Sequence, residues 1–176
     1  MHKATVGNVE VTALRDAHLV MDPRQFLPAH AEAFVAEYGH LADARGLLPM
    51  AVTCYLVRSA GKNILVDTGL GPRKRPGFPG GNLDAAFRDA GLSPADIDVV
   101  VHTHLHIDHV GWNTFDREDG TRELFFPNAR FFIQQVEWDY WMTPERIAHP
   151  ANAHLAECVE PLRDSGRITF VDGEQA

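Results

Sequence analysis

"VVVHTHLHIDHVGWN", residues 99–113, sets a β-branched apolar run against a cluster of histidines. Val99, Val100 and Val101 suit a strand buried on both faces, and His102, His104, His106 and His109 follow with Asp108 among them. The cluster therefore begins at the C-terminal end of a buried strand, where layered α/β folds place ligand sites. If the strand runs out near His104, the i, i+2 pair His104 and His106 can converge on one point, and the bending backbone carries Asp108 and His109 to a second. Neutral imidazole and carboxylate suit zinc, iron, cobalt or manganese. Two centres with mixed nitrogen and oxygen donors suit hydrolysis better than a structural site, which is usually closed by four ligands, often thiolates.

Upstream of the cluster, "AVTCYLVRSAGKNILVDTG" at 51–69 reads as two strands joined at Ala60-Gly61-Lys62-Asn63, with the second, "ILVD", apolar on both faces. The N-terminus reads as a hairpin: "KATV", a Gly7-Asn8 turn, then "VEVTAL" with Val9, Val11 and Ala13 on one face and Glu10 and Thr12 on the other. A helix is expected over 28–38, with Pro28 in its first turn and Gly39 as its cap. A second runs from Asn82 as cap to Gly91 as stop, and Ser93-Pro94 with Asp96 reaching back forms a capping-box variant. Downstream, "TFDREDGTRELFFPNA" is a polar excursion turning at Asp119-Gly120, "RFFIQQ" a strand and "VEWDYWM" the start of a helix. "ANAHLAECVEPLRDSG" has helical periodicity that Pro161 must kink or restart, and "RITFVDGE" closes as a strand entering a turn.

A chain of 176 residues is one ordinary domain, and its 16 Lys+Arg against 24 Asp+Glu give a net charge of −8. Acidity of that size argues against nucleic-acid partners, and the one basic stretch, "PRKRPG" at 72–77, reads as a solvated loop. Cys54 and Cys158 sit in no CxxC, and Cys54 reads as a small buried hydrophobe; the usage suits a reducing cytoplasm. The N-terminus alternates instead of running apolar, so neither a signal peptide nor a membrane span is expected, and the protein reads as soluble and cytoplasmic.

H-x-H-x-D-H after an apolar strand, with strand plus "DTG" upstream, resembles the metallo-β-lactamase superfamily. The likeness covers nearly the whole chain: "AVTCYLV", "NILVDTG", "SPADIDVVVHTHLHIDHVGWN" and "FPNARFFIQQVEWDYW" occur in the order of its lactonase-like and methyl parathion hydrolase-like branches. That resemblance implies a mixed α/β fold, the N-terminal portion of an αββα sandwich. It implies two divalent metal ions, zinc foremost, with His104 and His106 on the first and Asp108 and His109 on the second. Asp67 would orient the metal loop by hydrogen bonding without touching metal, although a strand-end turn would also suit it. His102 reads as a packed strand histidine, and Trp112 and Asn113 as caps of the next segment more than pocket walls.

The activity implied is hydrolysis of a small ester or lactone, N-acyl homoserine lactone first, by water activated between two metals, with Asp108 passing a proton to the leaving alkoxide. The apolar loops "PGFPGG" and "WDYW" could receive an acyl or aryl group. An organophosphate or aryl ester hydrolase is the runner-up, β-lactam and thioester hydrolysis are weaker alternatives, and a truncated, non-catalytic metal-binding module is the reading from another class. His106 stands where oxygen-reducing relatives carry Glu, which argues against redox chemistry. The family's third histidine, bridging aspartate and last histidine would follow a strand like "RITFVDGE", so residues 1–176 read as one such domain with its C-terminal half missing. His149 and His154 read as surface residues. Partners expected are a small ester or lactone, no nucleic acid, no membrane, and a homodimer that could pair through the 28–38 helix.

Overall fold

The computed structural model describes residues 2–173. Glu174, with which the reading of the last turn ends, lies outside them. β1 (His2–Val6) and β2 (Val9–Met21) form the expected hairpin, closed by Gly7-Asn8 with Val6 opposite Val9. α1 (Pro23–Phe26) and α2 (Ala31–Tyr38) follow, so the helix expected from Pro28 starts three residues later. Asp22 caps α1 through the Arg24 N–H at 2.9 Å with Pro23 behind it, and the start signal is spent there; the chain then turns through Pro28, His30 N–H bonding Leu27 O at 2.9 Å. Gly39 keeps a helical φ of −59° and leads into a 3₁₀ turn.

β3 (Leu48–Ser59) and β4 (Lys62–Val66) are joined by Ala60-Gly61 alone, with φ of 49° and 73°, so Lys62 and Asn63 already belong to β4. α3 (Leu83–Asp89) runs between Asn82 and Gly91 as read, and the Ser93–Asp96 capping box is present around a 3₁₀ turn. β5 (Val99–Val101) and α4 (Ile107–Val110) flank the histidine cluster. The polar excursion is a small hairpin of β6 (Thr114–Asp116) and β7 (Arg122–Leu124). β8 (Arg130–Gln134), α5 (Gln135–Trp141) and α6 (Pro144–Ala148) come next. A π-helical turn, Leu155–Val159, precedes α7 (Glu160–Arg163), which has Pro161 in its first turn, and β9 (Ile168–Val171) is the last strand among the described residues.

Seven strands form one sheet in the order β1-β2-β3-β4-β5-β8-β9, antiparallel up to β4 and parallel beyond it. From β4 the chain steps one way across the sheet, and right-handed crossovers in one direction all fall on the same face. That face buries Leu14, Cys54, Leu56, Leu65, Val100 and Phe131 against Leu83 and Phe87 of α3 and Leu155 and Val159 of the π turn. Phe87 also meets Phe126 edge-on at 5.9 Å. The opposite face carries Tyr55, Val57, Ile64, Val66, Val99 and Val101, exposed or half-buried. On β2 the buried positions are Thr12, Leu14 and Asp16, so the Val9, Val11, Ala13 set lies on the less covered face. A register shift between Arg15 and Ala17 then turns both Asp16 and Ala17 inward.

Candidate functional site

The loop after β4 and the turn after α4 are bound into one unit. Asp67 N–H donates to Val101 O (2.9 Å), Thr68 N–H to His109 O (2.7 Å), Gly111 N–H to Gly69 O (2.7 Å) and Trp112 N–H to Thr68 O (3.1 Å). The backbones approach so closely that a Cβ on Gly111 would lie 2.0 Å from the Leu70 carbonyl carbon. Asp16 fastens the unit to β2: its carboxylate accepts from Leu70 N–H (2.6 Å), Leu83 N–H (2.8 Å) and Trp112 Nε1–H (2.8 Å). Burial raises the Asp16 pKa against the pull of those bonds. Sequence reading passed Asp16 over; its only signal was a carboxylate inside an otherwise strand-like run.

Asp67 sits at the end of β4 with a φ of 59°, unusual for a residue with a Cβ. The twist aims its carboxylate at the cluster. Oδ1 accepts from Thr103 N–H (2.8 Å), and Oδ2 accepts from the Thr103 hydroxyl (2.8 Å) and His109 Nδ1–H (2.8 Å). His109 Nε2 then faces Asp108 Oδ2 at 3.5 Å. On the other side, His104 Nε2 and His106 Nδ1 stand 3.1 Å apart, and the His104 and His109 ring centroids are 3.8 Å apart. The cluster is therefore two pairs, His104 with His106 and His109 with Asp108. Among the described residues no group of three or more His, Cys, Asp and Glu side chains is gathered closely enough to hold a metal ion by itself.

The donor chemistry of the two pairs fits divalent metal. Two ligands of a tetrahedral zinc lie about 3.3 Å apart when each bond is about 2.0 to 2.1 Å. The two pairs, at 3.1 and 3.5 Å, bracket that edge. The charges agree: burial opposes protonation of His109, but hydrogen bonds to Asp108 and Asp67 outweigh it and lift its pKa to about 9. The two carboxylates draw a cation to this point, and without metal the proton on His109 supplies it. Burial would raise the Asp67 pKa, but bonds from His109 and Thr103 hold it below the usual carboxylate range; His109 does the same for Asp108. Burial, with His109 and His106 beside it, lowers the His104 pKa.

Other singled-out residues fall as follows. His102 is buried and stacked on Phe131, neither ring nitrogen finds a hydrogen-bond partner, and burial lowers its pKa to about 4, as suits a packed strand histidine. Trp112 and Asn113 are buried, Trp112 bonding Asp16 and Asn113 accepting from the Thr68 hydroxyl at 3.1 Å, so both brace the loop. His149 is exposed and caps a 3₁₀ turn through Ala151 N–H at 3.2 Å. His154 is not the surface residue expected: it is 5 % exposed and bonds the Leu105 carbonyl, because the π turn rolls it inward. The "PRKRPG" loop is not simply solvated either. Arg73 forks onto Asp116 with two bonds of 2.9 Å, and Arg75 pairs with Glu157. Cys54 is fully buried, as read.

Beside the two pairs lies a cleft of about 410 Å³. Met21, Met50, Phe78 and Trp141 supply apolar wall, and His106 and Asp108 supply its polar end. Both apolar stretches singled out in the sequence as loops thus reach this cleft, Phe78 from a loop and Trp141 from what is instead the last turn of α5. The Trp141 and His106 rings meet edge to face at 5.2 Å. Among the described residues no helix is long and apolar enough to cross a membrane.

Residues 47–115 match the Metallo-beta-lactamase superfamily. Among curated proteins, N-acyl homoserine lactonase AttM of Azorhizobium caulinodans is 38% identical over 64 residues, 36% of this chain and 20% of that protein. AttM of Agrobacterium fabrum is 40% identical over 58 residues, 33% of this chain and 18% of the relative. Among solved structures, AbOPH, a hydrolase in the beta lactamase superfamily, superposes with a TM-score of 0.76 at 22% identity, covering 99% of this chain and 62% of that one. AidC, a dizinc quorum-quenching lactonase, gives a TM-score of 0.73 at 26% identity with the same coverage. The chain thus spans about three-fifths of these two solved structures, 62% of each. It has the fold of these metallo-beta-lactamase superfamily structures, over part of their length.

Proposed function

We propose that the chain is the ligand-bearing portion of a dinuclear metal hydrolase that opens a small ester or lactone, with N-acyl homoserine lactone the leading substrate. One observation carries the reading: His104 with His106, and Asp108 with His109, stand at ligand spacing on the polar end of a cleft with apolar walls. The two lactonase relatives among the similar proteins agree with it.

His104 and His106 would hold one divalent ion, and Asp108 and His109 a second, zinc in both places. Bound there, the ions would supply Lewis acidity, easing deprotonation of water and polarising the scissile carbonyl. The chain's own residues do the rest. Asp67 keeps the proton of His109 on Nδ1, which leaves Nε2 as the donor. Asp108, anionic because its pKa is depressed, lies in the cleft where its free oxygen could take a proton and return it to the alkoxide released on ring opening. Phe78, Met50 and Trp141 offer an acyl chain a dry wall, and each buried methylene contributes about 0.8 kcal/mol of affinity.

The test measures zinc per chain by elemental analysis, and turnover of N-hexanoyl homoserine lactone, an aryl ester and a phosphotriester on one preparation. Zinc uptake that His104→Ala and His109→Ala abolish, with the lactone turned over fastest, is the expected result. Uptake and turnover indifferent to both substitutions would sink the reading.

A further inference from the structure

Leu105, between His104 and His106, is gripped at both of its backbone polar groups. Leu105 N–H donates to Glu137 Oε2 on α5 at 3.0 Å, and the Leu105 carbonyl accepts from His154 Nε2–H, just ahead of the π turn, at 3.2 Å. The Leu105 side chain is fully buried, so the residue is fixed from three directions. Glu137 and Trp141 are one turn apart and share a face of α5. That single face therefore holds the Leu105 N–H, in the peptide that follows His104, and packs the His106 ring as well. His154 donates from Nε2 while its Nδ1 remains buried without a partner. An unpaired buried nitrogen costs stability, and an apolar side chain would fill the space without that cost.

From these contacts we infer that Glu137 and His154 are positioning residues: together they clamp the backbone of Leu105 on both sides and preset the His104–His106 spacing. The inference rests on the metal-hydrolase reading for what that spacing serves. Neither residue belongs to the two donor pairs; each acts through the backbone of the turn. The polar partners of metal ligands typically change affinity ten- to a hundredfold, roughly, when removed.

The variants are Glu137→Ala and His154→Ala, with Glu137→Gln and His154→Gln as conservative partners, because glutamine can accept from an amide and donate to a carbonyl. Two readouts are taken on the whole 176-residue chain. One is hydrogen exchange of the Leu105 amide without metal, followed by NMR; the other is cobalt(II) titration followed by visible absorption. The alanine variants should speed Leu105 exchange at least tenfold, roughly, and weaken cobalt binding about tenfold, while the glutamine variants keep most of both. Alanine variants that lose Leu105 protection yet bind cobalt as tightly as the unaltered chain would overturn the clamp and leave the metal reading standing. An unaltered chain with a protected Leu105 amide and no cobalt binding would overturn the metal reading, and with it the clamp's purpose. Equal losses in alanine and glutamine variants, with exchange raised across the whole sheet, would reduce both residues to general packing and overturn the inference.

Discussion

Asp67 and His109 meet at 2.8 Å across 42 residues of sequence, carboxylate Oδ2 against ring Nδ1. This contact decides which imidazole nitrogen looks toward Asp108, and it ties the loop after β4 to α4. Asp67→Asn keeps the size of the side chain and removes its charge. The His109 pKa should then fall from about 9 toward its ordinary value of 6.5, and metal affinity should drop by one to two orders of magnitude, roughly. Titration of the His109 ring by NMR checks the first part; an unmoved titration would contradict the electrostatic account.

The same histidine makes stability depend on pH. A folded-state pKa raised to about 9 from 6.5 stabilises the metal-free fold fully below pH 6.5, and the contribution disappears as pH rises through about 9. The melting temperature of the metal-free chain should therefore fall over that window. Zinc should reverse the trend, because binding requires the neutral ring and releases its proton. Calorimetry with and without zinc across the window measures both slopes; parallel slopes would count against metal at His109.

Asp16 should be the least replaceable polar residue outside the cluster. Asp16→Ala strands the Leu70 and Leu83 amides and the Trp112 indole N–H, each a buried donor worth about 1 to 3 kcal/mol when unsatisfied. A loss of at least about 3 kcal/mol in urea unfolding is expected. Asp16→Asn should also destabilise, since its amide nitrogen would confront one of these donors. A loss below about 1 kcal/mol in both would show that solvent or rearranged loops satisfy the donors instead.

Phe78 tests the cleft. Phe78→Ala should raise KM for a hexanoyl lactone about tenfold with kcat nearly unchanged, and leave a short-chain lactone little affected. Equal effects on both lengths would place the acyl chain elsewhere.

The gathering of the histidines at a strand end was legible because their residue types and spacing are local: an apolar strand runs straight into HxHxDH. The hairpin at Gly7-Asn8, the capping box at Ser93 and the α3 stop at Gly91 were legible for the same reason. Asp16, Glu137 and His154 were not, because each works through a partner at least 32 residues away, and nothing beside it in the sequence announces the bond. The inward face of β2 was hidden too: Val9, Val11 and Ala13 are the apolar set, but the face packed on the core carries Thr12, Leu14 and Asp16, two of them polar. Pro28 misled because Asp22-Pro23 had already started a helix.

The left-handed backbone at Asp67 persists because its carboxylate outweighs the cost. Asp67→Gly would relax a conformation that costs a residue with a Cβ roughly 1 kcal/mol, but it would also remove the acceptor of three hydrogen bonds and the partner of the charged His109 ring. A library screened for heat resistance without metal and one screened for turnover would therefore both retain the carboxylate. Position 67 is a place where glycine, the easier residue for the backbone, is selected against twice.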